Sequence, residues 1–181
     1  MDIHDDVVRE AASGDQIAFR ELYDALAPKV LGYLRARGVD DPEGLTNEVF
    51  LAVYPRLRSL TGGATGLRTL VFSVAHARVV DEARRRARRP VSFSYDPEYD
   101  ERTIDSAEQV AVISLEAERA LELMKQLNDD QRTVVTLRII GDLTLVQTAA
   151  VTGKTVASVK QLQRRGLSRL RSLMVSQEVL G

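Results

Sequence analysis

Apolar residues in this chain recur every three or four positions, and no stretch alternates apolar with polar over a useful length, so the pattern predicts helices throughout. Ile3–Ala12 reads as a short first helix stopped by Ser13-Gly14. Asp15 can cap the next helix, in which Ile17, Phe19, Leu22, Tyr23, Leu26, Val30, Leu31 and Leu34 keep helical spacing. Pro28 predicts a kink or local irregularity there, and Gly38 closes the helix. Asp40-Asp41-Pro42 opens a third helix over Glu43–Leu57, with Leu45, Val49, Phe50 and Val53 as its apolar stripe and Glu43, Asn47 and Glu48 off it; Pro55 loosens its last turn. Thr61–Gly66 is rich in glycine and reads as a flexible loop. A long helix follows over Leu67–Arg89, with Leu67, Leu70, Val71, Val74, Ala75 and Val79 facing a core, and Pro90 stops it.

Helical periodicity lapses over Val91–Ala111, which reads as an extended linker, and returns from Ser114 or Leu115 with Leu121, Leu123, Met124 and Leu127. Asn128-Asp129 caps the next helix, with Val134, Val135, Leu137, Arg138 and Ile139 on its stripe, and Gly141-Asp142 leads out of it. Leu143–Leu173 then has the layout of a helix-turn-helix. Ala149 is small where two helices cross, Gly153 suits a left-handed turn, Thr155 can cap the second helix, and Val159 and Leu162 point back at the first. In a helix-turn-helix the second helix enters the DNA major groove. On an ideal helix Val156, Val159, Leu162, Leu167 and Leu170 share one side, while Lys160, Gln161, Arg164, Ser168 and Arg171 share another. Arg and Lys reach phosphates or guanine edges and Gln pairs with adenine, so this second side is a candidate reading face. Thr148 and Thr152 stand where the first helix of such a pair usually carries larger apolar residues.

The fold class expected is therefore all-α: a helical domain over residues 1–90, an acidic flexible linker over 91–113, and a helix-turn-helix domain over 114–181. Charge sharpens this division. The net formal charge is −1, but residues 1–90 carry 14 Lys/Arg against 13 Asp/Glu, residues 91–118 carry 1 against 8, and residues 119–181 carry 10 against 5. Seven arginines lie in Leu67–Arg89, which suits tracking of a phosphate backbone. With no cysteine, disulfides and thiolate metal sites are excluded, and His4 and His76 are too few for a histidine metal site. No nucleophile–base set is found, and Gly62-Gly63-Ala64-Thr65-Gly66 lacks the Lys of a phosphate loop, so neither enzyme chemistry, cofactor nor metal is expected. No apolar run approaches the roughly 18 residues of a membrane span, and the acidic start lacks a signal-peptide core, so a cytoplasmic protein without membrane insertion is expected.

Taken together, the segments AFRELYDALAPKVLGYLRARG, DPEGLTNEVFLAVYPRL, GLRTLVFSVAHARVVDEARRRAR, LNDDQRTVVTLRIIGDLT and VKQLQRRGLSRLR make the chain resemble the extracytoplasmic-function (ECF) sigma factors of bacterial RNA polymerase, over most of its length and in the expected order. The resemblance implies a promoter-specificity subunit that binds core polymerase and recognises minus-10 and minus-35 elements, held in check by an anti-sigma protein. It implies that Glu43, Leu45, Asn47, Glu48, Val49 and Phe50 dock on the clamp coiled coil of the largest polymerase subunit, with the flap of the second-largest as a further contact. Arg68, His76, Arg78, Arg84 and Arg85, with the loop Thr61–Gly66, would hold the minus-10 element, where an unstacked base is captured. Thr155, Lys160, Gln161, Arg164 and Arg165 would read the minus-35 duplex, and the acidic linker would run through the polymerase cleft. The chain departs from the family's common residues at Gly44 (Asp), Asn47 (Gln), Leu70 (Trp) and Ala77 (Asn). The alternative is a stand-alone helix-turn-helix regulator, which would dimerise and bind a palindrome but leaves the arginine-rich helix and the acidic linker unexplained.

Overall fold

The computed structural model describes residues 3–88 and 118–178, and every regular element in them is helical. The expected linker, Arg89, Pro90 and the start of the second domain at Ser114 or Leu115 lie outside the described residues. The elements are α1 (Asp5–Ser13), α2 (Gln16–Ala36), α3 (Pro42–Val53) with a 3-10 extension (Tyr54–Ser59), α4 (Gly63–Arg88), α5 (118–125), α6 (Asp129–Ile139), α7 (Leu145–Thr152) and α8 (Val156–Glu178).

Short polar side chains start most of these helices by accepting from amides that have no partner in the first turn. Asp15 accepts from Ile17 N and Ala18 N at 2.8 Å, Asp41 from Gly44 N at 2.8 Å, and Asn128 from Gln131 N at 2.9 Å. Thr144 and Gln147 form a reciprocal capping box at α7, a signal the sequence reading passed over. The start of α4 differs from expectation. Thr61–Gly66 is mostly the first turn of that helix, and its amide at Ala64 is capped from a distance by Asp5 Oδ1 of α1 at 2.7 Å. Its glycines serve closeness, not mobility. A Cβ on Gly63, whose φ is +55°, would stand 2.2 Å from the Asp5 carboxylate, and one on Gly66 would stand 2.0 Å from the Thr61 carbonyl oxygen. α2 continues across Pro28 as one helix, anchored by buried Leu26 and Val30 on either side.

Tyr33, Leu34, Val49, Val53, Val71, Phe72 and Ala75 build the main core among α2, α3 and α4, with the Tyr33 and Phe72 rings edge-to-face at 5.8 Å. Val134, Ala149 and Val159 form a second, smaller core in which α6, α7 and α8 meet. The two helical sets are not separate in this arrangement: Leu137 and Leu143 from the C-terminal set are completely buried within the main core. The helix-turn-helix follows its sequence signals closely. Gly153 is left-handed at φ +66° and its N–H bonds back to Ala149 O, Thr155 Oγ1 caps Ser158 N at 3.2 Å, and Val159 and Leu162 pack inward. Thr148 and Thr152 fit because each hydroxyl bonds the carbonyl one turn back, at 2.8 and 2.7 Å, so Thr148 is buried without an unpaired group. Four assignments to the inward stripes fail: Ile17 is 83% exposed, and Ile139, Val156 and Leu167 are also exposed, because no neighbouring helix covers those positions. Gly166, unremarked in sequence, lets α8 approach α6; a Cβ there would stand 2.7 Å from Val135 Cγ2.

Candidate nucleic-acid and partner interfaces

The six residues expected to dock on a partner divide by burial. Val49 is completely buried and Leu45 and Phe50 nearly so, because they form the core side of α3. Leu45 and Val49 support a docking face and do not present one, while Phe50 reaches it only at the floor of the groove between α2 and α3. Glu43, Asn47 and Glu48 are outward: Glu43 pairs with Arg35 at 2.5 Å, Glu48 lies 3.9 Å from Arg78, and Asn47 Oδ1 accepts from the Tyr23 hydroxyl at 3.0 Å. Apart from Phe50, the apolar part of the face comes from residues outside that expected set. Phe19, Tyr23, Asn47, Phe50, Leu51 and Tyr54 line a groove between α2 and α3 of about 620 Å³. Leu51 is 75% exposed at its rim, and two aromatic pairs, Phe19–Tyr54 and Tyr23–Phe50, hold its walls at ring separations of 4.7 Å. An exposed apolar groove with aromatic walls is the kind of surface that takes a partner helix. Gly44 has a local reason here. The Asp41 carboxylate folds over it, and a Cβ on Gly44 would meet Asp41 Oδ2 at 2.2 Å.

Along α4 the five expected DNA-facing residues also part company. Arg84 and Arg85 are exposed, Arg78 is half-buried, and with Arg88 and Asp81 they surround one cationic concavity. Arg88 belongs with them; it is one of the seven arginines of the cationic helix but not of the expected minus-10 set. Arg86 does not: it is spent on Glu82 (2.5 Å), Asp40 (2.9 Å) and the Gly38 carbonyl (3.0 Å), fastening α4 to the α2–α3 loop. Arg68 is turned toward the C-terminal helices, where Nη1 donates to Asp142 Oδ2 at 3.0 Å. His76 faces inward and shares a 2.9 Å hydrogen bond with the Tyr33 hydroxyl through Nδ1. Burial, and then the nearby Arg37 guanidinium, hold the His76 imidazole below its ordinary pKa; burial pushes the Tyr33 phenol up. The Tyr33 bond makes the imidazole part of the packing between α2 and α4.

On α8 the expected reading residues stay together. Thr155, Lys160, Gln161, Arg164 and Arg165 are all exposed; the last four lie on the side away from Val159, while Thr155 stands at the helix start, one turn before Val159. Thr155 spends its hydroxyl on the cap, so of the five it is the least free to reach a base. Arg138 and Gln163 bond at 3.1 Å and fix α8 against α6, which holds the exposed row at a set angle. Lys154 is drawn aside to Asp130 at 2.9 Å. Among the described residues no group of three or more His, Cys, Asp or Glu could hold a metal, and no helix is long and apolar enough to cross a membrane.

Comparison with known proteins agrees with this layout. The family profile for Sigma-70, region 4, matches residues 123–172, which span α6, α7 and most of α8. The chain is 31% identical over 179 residues to the ECF RNA polymerase sigma factor SigD of Mycobacterium tuberculosis, covering 95% of this chain and 84% of that one. It is 32% identical over 177 residues to the ECF RNA polymerase sigma factor ShbA of Streptomyces griseus, covering 92% and 93%. The fold is similar to that of CnrH, solved in complex with the cytosolic domain of CnrY, at a TM-score of 0.67, 21% identity and coverage of 95% and 97%. With two helical sets, a helix-turn-helix and near full-length relatives of one kind, the chain belongs to the ECF sigma factors of RNA polymerase.

Proposed function

We propose that this chain binds core RNA polymerase in the cytoplasm and directs initiation at promoters bearing minus-10 and minus-35 elements, as a specificity subunit without chemistry of its own. The observation that carries the reading is the exposed row Lys160, Gln161, Arg164 and Arg165 on a helix held from behind by Val159 and Gln163. Donors of these types reach base edges and phosphates in a major groove. The cationic concavity of Arg78, Arg84, Arg85 and Arg88 supports a minus-10 surface that follows a strand by its backbone. The groove of Phe19, Tyr23, Leu51 and Tyr54, with Asn47 in its lining, supports docking on the clamp coiled coil of the largest subunit. Contact of the C-terminal helices with the flap of the second-largest subunit and control by an anti-sigma protein complete the proposal.

The test is reconstitution. Purified chain should co-elute with core polymerase and direct transcription from genomic fragments whose start sites share two spaced elements. A folded chain that neither binds core nor alters its start sites would overturn the reading. Affinity capture that recovers polymerase but never an inhibitor would remove the anti-sigma part alone.

A further inference from the structure

The first turn of α8 presents apolar side chains to solvent. Val156 is 41% exposed and Ala157 is exposed beside it. The polar groups around them are already engaged. Lys154 is held by Asp130 at 2.9 Å, the Thr155 hydroxyl accepts from Ser158 N at 3.2 Å, and Ser158 is half-buried. At about 100° per residue, Ala157 lies within ~40° of both Gln161 and Arg164 and ~160° from buried Val159. It therefore sits in the middle of the outward row, and Val156 flanks it one turn before Lys160. In a helix-turn-helix the N-terminal residues of the second helix contact base edges. Here that place holds two side chains that neither donate nor accept a hydrogen bond. The apolar group that a base pair offers them in the major groove is the 5-methyl of thymine.

We propose that Val156 and Ala157 are specificity-determining residues that pack on thymine 5-methyl groups, so that the duplex element read by α8 carries thymine close to the adenine that Gln161 pairs with. This rests on the minus-35 reading above. The spacing follows from the helix. Ala157 and Gln161 are one turn apart, ~6 Å along the axis, against ~3.4 Å per base step, so the thymine lies within about two steps of that adenine. Size agrees with the assignment. Among the long side chains of Lys160, Gln161 and Arg164, a residue of one carbon lets the start of the helix approach the base edges closely. Removing one methyl from water against another is worth up to about fourfold in Kd.

Deoxyuridine differs from thymidine only in lacking that methyl, so it tests the contact directly. The full chain, reconstituted with core polymerase, is titrated against duplex promoter fragments in which each thymine of the minus-35 element, on either strand, is replaced in turn by deoxyuridine. At one or two neighbouring positions the replacement should weaken binding about two- to fourfold, and elsewhere it should change nothing. Gln161→Ala relaxes base preference at the position Gln161 reads, and so marks the adenine from which those positions are counted. Val156→Ser combined with Ala157→Ser removes the apolar contact from an exposed turn, with circular dichroism to check that the helices remain. The double variant should bind thymine and deoxyuridine fragments equally. If no deoxyuridine replacement weakens binding of the native chain, the proposal is overturned. It is overturned as well by a thymine preference that survives in the double variant, or by sensitive positions more than about three steps from the adenine marked by Gln161. Failure of the minus-35 reading has a different signature, because replacing the whole upstream element then leaves binding and start site as they were, and both readings fall together.

Discussion

Leu51→Ala separates the docking face from the core that supports it. Leu51 is 75% exposed on the rim of the α2–α3 groove, so its truncation removes little that folding has buried. Full burial of the three carbons that Leu has beyond Ala is worth ~2.4 kcal/mol at about 0.8 kcal/mol per buried carbon, and the three-quarters still exposed leave up to ~1.8 kcal/mol to be gained on docking. The expected loss is therefore up to about twentyfold in Kd for core polymerase. Val49→Ala is the counterpart. Val49 is completely buried, so this change should lower folding stability on the order of 2 kcal/mol through lost contacts and a residual cavity. The affinity of the folded fraction should stay as it was. Fluorescence anisotropy of labelled chain titrated with core measures Kd, and urea unfolding of the same samples measures stability. If Leu51→Ala leaves both Kd and the unfolding midpoint unchanged, the groove is not the docking face. If Val49→Ala weakens the folded chain's binding at unchanged stability, the division of α3 into core side and docking side is wrong.

Four further outcomes are expected. His76 is held below the ordinary value near 6.5, so its contribution to stability is complete above that pH and is lost as pH falls from there through the lowered folded value; His76→Gln should remove this part of an acid-unfolding profile monitored by circular dichroism. Arg37 is nearly buried and bonds Asp129 at 2.6 Å, with its Nε unpartnered, whereas Asp129 is 77% exposed. Asp129→Ala, which strands the guanidinium, should therefore cost about 1–3 kcal/mol in urea unfolding, and Arg37→Met, which removes it, should cost less. Arg164→Ala should weaken minus-35 binding by about 1–3 kcal/mol if it contacts a base; if it contacts only phosphate, the salt slope should fall by about 0.9 at similar loss for every sequence. Gly66→Ala would force a Cβ to within 2.0 Å of the Thr61 carbonyl oxygen and should destabilise the chain by about 1–3 kcal/mol, read as a lowered unfolding midpoint.

What the sequence alone determined lies within a turn or two of chain. Asp15, Asp41, Asn128 and Thr155 cap the helices they precede, Gly153 turns left-handed, and Val159 and Leu162 face α7, because each depends on partners a few residues away. The exposed row on α8 was legible for the same reason, since a helical period and one inward face define the outward one. The tertiary structure decided what covers each face and where each charge is spent. Periodicity marks Val49 and Ile17 alike as apolar positions, yet α4 and α2 close over the first and nothing closes over the second. A run of arginines reads as one cationic surface, yet Arg86 is drawn to Asp40, Arg68 to Asp142, and His76 to Tyr33. The partners in those pairs stand 46, 74 and 43 positions apart in the chain. A pattern of local spacing contains no term for such distances; only the packing of α4 against α2, the α2–α3 loop and the α6–α7 loop brings these groups within hydrogen-bonding reach.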